Sequence, residues 1–150
     1  MHLSPGNVRL FTRTLDDITA RLPEVVAALA ALPVSSAVFD GELIALREDG
    51  RPLPFQDTAA RTASLEGSSV ALSLFLFDAL HLKGADLIDS DDAERHAALA
   101  RAVPAELLMP RLVTASAGEA AAFFAEALAK AGGAAEVECA VEWKLDGIRI

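Results

Sequence analysis

Apolar and polar residues fall along this chain in short alternating runs, and the runs predict strands interleaved with helices. Met1–Leu3 and Val8–Thr12 are extended pieces on either side of Ser4-Pro5-Gly6-Asn7, where proline presets one backbone angle and glycine permits the next. Asp16 and Asp17 are placed to cap a short helix. Pro23–Leu32 carries Val25, Val26, Leu29 and Leu32 at helical spacing behind a proline suited to the first turn. Ala37–Leu46 reads as a strand closed by the turn Glu48-Asp49-Gly50, and Gly50–Gly67 as irregular loop with one helical turn. Val70–Leu80 is almost wholly apolar, the pattern of a strand buried on both faces. Asp91–Val103 predicts a helix and Leu107–Thr114 a strand. Ser116-Ala117-Gly118-Glu119 is a capping box opening a helix to Lys130, which Gly132-Gly133 ends. Glu138–Ile150 reads as one last strand. Helices between strands of mixed order predict an α+β or mixed α/β domain.

Two strands carry charge where a core strand should be bland. Strand side chains alternate, so Asp40 and Glu42 share a face with Val38 and Ile44. In the last strand Glu142, Lys144 and Asp146 share one face, and Val141, Trp143 and Leu145 the other. A sheet with one solvated face accounts for this pattern. So does a sequestered polar site, which tolerates buried charges only if they are paired or bound to a ligand. Patterning alone leaves both readings open.

Composition narrows the classes. The chain has 150 residues, the size of one compact domain, and 53% of them are hydrophobic, so there is ample material for a core. Mean hydropathy is +0.35, which excludes the disordered class. Thirteen Lys+Arg against 22 Asp+Glu give a net charge of −9, which argues against a stand-alone basic clamp for nucleic acid or anionic membrane. A lone cysteine, Cys139, forms no intrachain disulfide and fits a reducing compartment. No 18-residue apolar run occurs and the first residues lack the halves of a signal peptide, so a cytoplasmic protein without a membrane partner is expected. His2, His81 and His96 show no metal-ligand spacing.

Residues 144–149 read Lys144-Leu145-Asp146-Gly147-Ile148-Arg149, or K-x-D-G-x-R. Four fixed residues recur by chance at roughly 1 in 10⁵ positions. The motif resembles the nucleotidyl-lysine signature of the covalent nucleotidyltransferase superfamily, which comprises ATP-dependent DNA ligases, RNA ligases and mRNA capping enzymes. Phe39-Asp40-Gly41-Glu42-Leu43 resembles the third ligase motif, and Leu76-Phe77-Asp78-Ala79-Leu80 the next, in which an aromatic precedes an aspartate. Phe11-Thr12-Arg13 is similar to the arginine motif. The Gly50–Gln56 and Leu82–Leu87 segments match stretches of bacterial ATP-dependent DNA ligases. The resemblance spans nearly the whole chain. It implies a nucleotidyltransferase domain with mixed, largely antiparallel sheets flanked by helices.

The resemblance also implies roles. Lys144 would attack the α-phosphorus of ATP, leaving a lysine-AMP phosphoramidate and releasing pyrophosphate. Asp146 would orient the lysine or a metal. Glu142 would meet the adenine edge and Phe77 would stack on the base. Arg149 and Glu42 would hold the ribose and phosphates, with Glu42 also a metal neighbour, and Arg13 would reach the phosphates or a DNA end. Mg²⁺ or Mn²⁺ is expected, because such transfer is mostly positioning and charge neutralisation. Each has a bland rival: Phe77 as core, Arg13 as a surface ion pair with Asp16 or Asp17, Trp143 as core, Glu66-Gly67 as loop.

Motif order departs from the family, where the nucleophile motif comes first. Here it comes last, and appending residues 1–130 after Ile150 restores the order, as in a circular permutation with its join at 131–136. The resemblance implies lysine motifs and an OB-type domain after the Lys130 helix, and residues 131–150 are not expected to hold them. Residues 1–150 are therefore expected to form a single partial adenylation domain that is defective in sealing by itself. Nicked double-stranded DNA would be met through the full-length enzyme, and the cut strand would leave an edge open to a domain-swapped homodimer. Alternatives are an RNA ligase or capping-type nucleotidyltransferase, or a non-catalytic engineered scaffold retaining the motifs.

Overall fold

In the computed structural model, residues 1–63, 70–130, 144–145 and 148–149 are described. They divide into two compact units, one of residues 1–47 and 52–110, the other of 48–51 and 111–150.

The first unit is built on a five-stranded antiparallel sheet in the order β2-β1-β3-β4-β5. Strands β1 (His2–Ser4) and β2 (Asn7–Arg9) form a hairpin across Pro5-Gly6, with Gly6 at φ +72°. Proline followed by a left-handed glycine suits a type II turn, at the turn that the sequence marks. A 3₁₀ turn, Thr19–Arg21, follows; neither aspartate caps it, since Ile18 holds the capping position without a side-chain bond, and Asp17 accepts the Thr19 N–H at 2.9 Å from the loop before it. Helix α1 (Pro23–Ala30) starts on its proline as expected and buries Val25 and Leu29. Strands β3 (Ala37–Ala45) and β4 (Leu72–Leu82) are the long central pair. A two-residue turn, Lys83-Gly84, with both residues at positive φ, joins β4 to β5 (Ala85–Asp86). Helix α3 (Asp92–Ala102) is capped by Asp91, whose carboxylate accepts the Glu94 N–H at 2.8 Å. The core of this unit joins Leu10, Leu22, Leu29, Phe39, Leu76 and Leu99, none more than 2% exposed.

Four sequence expectations need correction. The Gly50–Gly67 loop holds a nine-residue helix, α2 (Phe55–Ala63), tied to β3 by the Thr58 hydroxyl accepting the Ala45 N–H at 3.0 Å. That tertiary bond, with Arg61 buried beneath, favours helix where local composition reads as loop. Strand β4 is not buried on both faces, since Phe77 is 41% exposed. Leu107–Thr114 is no strand: the 3₁₀ turn Ala105–Leu107 leads into a single parallel bridge, Leu76 to Leu108, and the Met109 N–H donates to the Leu76 carbonyl at 2.9 Å. An apolar run satisfies itself here by lying along the β4 edge. Finally, of Glu138–Ile150 only 144–145 and 148–149 are described, and these are not one continuous strand: in the second unit β6 (Lys144–Leu145) pairs antiparallel with β7 (Ile148–Arg149). Their described ladder is with each other, whereas Val8 in β2 pairs with Leu3.

The second unit also holds helix α4 (Ala117–Lys130). Ser116 caps it by accepting the Glu119 N–H at 3.3 Å, but the Glu119 carboxylate takes the Thr114 hydroxyl rather than closing the box. The Glu66-Gly67 loop, the Gly132-Gly133 helix end, the 131–136 join, Cys139 and Trp143 lie outside the described residues. No helix among the described residues is long and apolar enough to cross a membrane.

Candidate nucleotide site on the β3–β4 face

One face of β3 and β4 packs into the core and the other is open. On the core face Phe39 stands opposite Ala79, Gly41 opposite Leu76, and Leu43 opposite Leu74. On the open face Asp40 stands opposite Asp78, Glu42 opposite Phe75, and Ile44 opposite Ser73. The pairing slips twice, between Val38 and Phe39 and between Asp40 and Gly41. Each slip adds a residue on β4, as in a β-bulge. At the second slip Leu76 and Ala79 are both fully buried, while Phe77 and Asp78 between them stay off the core. Regular alternation would have sent one of those two inward. The bulge thus gathers exposed Phe77, Asp40 and Glu42, with half-buried Asp78 beside them, on one face.

Gly41 lets the strands approach. A Cβ there would meet the Phe75 carbonyl oxygen at 2.5 Å and Leu76 Cδ2 at 2.8 Å. The Asp40-Gly41-Glu42 sequence therefore combines two outward carboxylates with the one residue that fits between them.

Two aspartates in register repel unless a cation intervenes. Arg95 of α3 supplies it, with Nε 2.9 and 3.0 Å from the two Asp78 carboxylate oxygens, and its Nη1 donates to the Ser90 carbonyl at 2.8 Å. The bond to Asp78 raises the Arg95 pKa further above its usual value. Arg95 escaped sequence reasoning, although an aspartate inside the apolar run 72–82 was itself a signal that a counter-charge must exist.

The sheet's other end forms an open cavity of about 480 Å³ lined by His2, Arg9, Phe11, Val38 and His81 among others. Arg9 lies over the Phe11 ring at 5.4 Å, and His2 meets that ring edge-on at 5.2 Å. Burial, then the neighbouring chain-terminal ammonium, lowers the His2 pKa below its ordinary value.

Among the predicted site residues, the structure puts Glu42 and Phe77 on the same face, both exposed. Arg13 is exposed in the loop leaving β2, with β1 between β2 and β3. Its surface ion-pair reading is corrected: Asp17 pairs with Arg9, and Asp16 accepts the Thr14 hydroxyl at 2.6 Å and the Thr12 hydroxyl at 3.3 Å. Lys144 and Arg149 are cross-strand partners in the β6–β7 ladder. Their side chains, and Glu142 and Asp146 entirely, lie outside the described residues.

Residues 1–133 match the family described as ATP dependent DNA ligase domain. The chain belongs to that family. It is 57% identical over 128 residues to a probable DNA ligase of a Nocardioides species, covering 85% of this chain and 25% of that protein. It is 53% identical over 129 residues to a probable DNA ligase of Kineococcus radiotolerans, covering 86% and 25%. The ligase domain of M. tuberculosis LigD superposes with a TM-score of 0.63 at 26% identity, over 83% of this chain and 40% of that one. A mycobacterial DNA ligase D complexed with ATP and MES gives 0.61 at 27%, with the same coverage. The α+β architecture is therefore that of ligase domains. The chain spans about a quarter of the length of the curated relatives it matches.

Proposed function

We propose that this chain is the nucleotide-binding, self-adenylating part of an ATP-dependent DNA ligase. The observation that carries the reading is the open β3–β4 face, on which a bulge groups exposed Phe77 with Glu42 inside a family match that covers residues 1–133. An exposed aromatic flanked by carboxylates suits a purine riboside: the ring stacks, and the carboxylate accepts sugar hydroxyls.

In this reading Phe77 stacks on adenine, Glu142 meets the adenine edge, and Glu42 and Arg149 hold the ribose and phosphates. Lys144, as the free amine, attacks the α-phosphorus. The N–P bond forms as the bond to the pyrophosphate oxygen breaks, pyrophosphate leaves, and the amine gives up a proton. Asp146 orients the lysine, and Arg13 binds phosphate or a DNA end. Among the described residues no group of three His, Cys, Asp or Glu could hold a metal. Magnesium commonly takes one or two carboxylates with substrate phosphates and water, which Glu42 fits. When bound, such an ion neutralises charge on the phosphates. The whole enzyme acts on nicked duplex DNA in the bacterial cytoplasm. Residues 1–150 form one partial adenylation domain in permuted order, and chains exchanging a strand would elute as dimers.

The test is intact mass after incubation with ATP and Mg²⁺. One added AMP is expected, located on Lys144 and absent from Lys144→Ala. Labelling of Lys83 or Lys130 in that variant, or a guanylate gain from GTP in place of AMP, overturns the reading.

A further inference from the structure

The Phe77 bulge needs something to hold it. A bulge is a local break in the ladder, and a one-residue slip would send Asp78 into the core and Ala79 out. Asp40, directly opposite, adds a like charge that disfavours the observed pairing. Arg95 opposes both effects. Its Nε bonds to both Asp78 oxygens and its Nη1 to the Ser90 carbonyl, and both side chains of the pair are only 20% exposed. The Arg95 backbone is fixed in turn, because α3 is capped by Asp91 and anchored by fully buried Leu99. Asp78 Oδ1 also accepts the Ala79 N–H at 2.8 Å, so the carboxylate that Arg95 grips ties down the strand just past the bulge.

We propose that Arg95 is a positioning residue of the nucleotide site: by clamping Asp78 against α3 it fixes the β4 bulge that turns Phe77 outward as the adenine platform. The platform role rests on the function proposed above, while the clamp rests on the geometry alone. Arg95 touches no substrate and acts through Asp78.

The experiment compares the whole chain, isotope-labelled, with Arg95→Gln and Arg95→Lys by NMR. It reads the cross-strand contact between Asp40 and Asp78 and amide exchange at Phe77, Asp78 and Ala79. Binding of 2-aminopurine riboside triphosphate, whose fluorescence falls on stacking, is measured alongside. In Arg95→Gln the Asp40–Asp78 contact is lost and Ala79 exchange accelerates about tenfold, the worth of one charge-assisted hydrogen bond. The Leu43–Leu74 pair, farther along the same ladder, keeps its protection. Fluorescence quenching weakens in parallel. Arg95→Lys retains the charge and gives an intermediate change, so the series is readable even if the glutamine variant fails to fold. Unchanged register and exchange at 77–79 in Arg95→Lys and Arg95→Gln overturns the proposal, as does equal loosening of Leu43 and Leu74, which marks a general stability pair. Absent quenching by the unsubstituted chain overturns the adenine-platform reading instead, and the register measurement still decides the clamp.

Discussion

Replacing Gly41 by alanine adds one methyl group at the closest approach of the two central strands. That carbon would sit 2.5 Å from the Phe75 carbonyl oxygen, 2.8 Å from Leu76 Cδ2 and 3.2 Å from Leu76 Cα. Ordinary contact begins near 3.4 Å. The nearest obstacle is backbone, so β4 must move as a strand rather than one rotamer relaxing. Overpacking a well-filled site costs about 1–3 kcal/mol, and the upper end applies where backbone has to yield. Gly41 is not among the positive-φ residues, so the penalty is steric and not torsional. A loss of about 3 kcal/mol corresponds to a fall in Tm of about 12 °C for a unit of this size. Urea unfolding followed by far-UV circular dichroism measures it, with an unchanged slope showing that stability alone has moved. Gly84→Ala is the control. Gly84 has φ +88° and nothing within 4 Å of an added Cβ, so it pays only the left-handed penalty of about 1–2 kcal/mol. A Gly41→Ala chain within about 0.5 kcal/mol of the parent, the scatter of inert surface changes, refutes the close-approach argument.

Arg61 is 6% exposed and paired to Glu24, with its Nη1 also donating to the Arg21 carbonyl at 3.0 Å. Glu24→Gln removes the counter-charge but leaves the carbonyl bond, and since Glu24 is 41% exposed the loss should be about 1–2 kcal/mol by chemical denaturation; a neutral result contradicts the pairing. Hydrogen bonds from Thr19, and then Arg9, lower the Asp17 pKa to about 2 from its ordinary 3.8. A depressed carboxylate stabilises the fold above the unfolded-state value and loses that contribution as pH falls from 3.8 towards 2, so Asp17→Asn should flatten stability against pH in that window. An Asp17 carboxyl titrating near 4 by NMR contradicts the bonding scheme.

The sequence by itself determined whatever rests on neighbours along the chain. Pro5-Gly6 set the β1–β2 turn, Pro23 opened α1, and Asp91 and Ser116 capped α3 and α4, because turns and caps close over three or four residues. Alternation put Asp40 and Glu42 on one face before any partner strand was known. Motif spelling singled out Glu42, Phe77, Arg13 and the Lys144 segment, and the family match bears out the kinship that it implied. Tertiary structure decided the rest. Residues 55–63 became helix because β3 offered Thr58 an amide and α1 offered buried Arg61 the half-exposed Glu24 carboxylate, 13 and 37 positions away in sequence. The apolar run after Leu107 lay along the β4 edge as irregular chain because Leu76 offered one carbonyl there and not a full strand's ladder. Phe77 faced outward through a slip in strand register, and Arg95 met Asp78 across 17 positions. Register and charge pairing are properties of two segments at once. Neither segment encodes them alone, so they appear only when the fold brings the segments together.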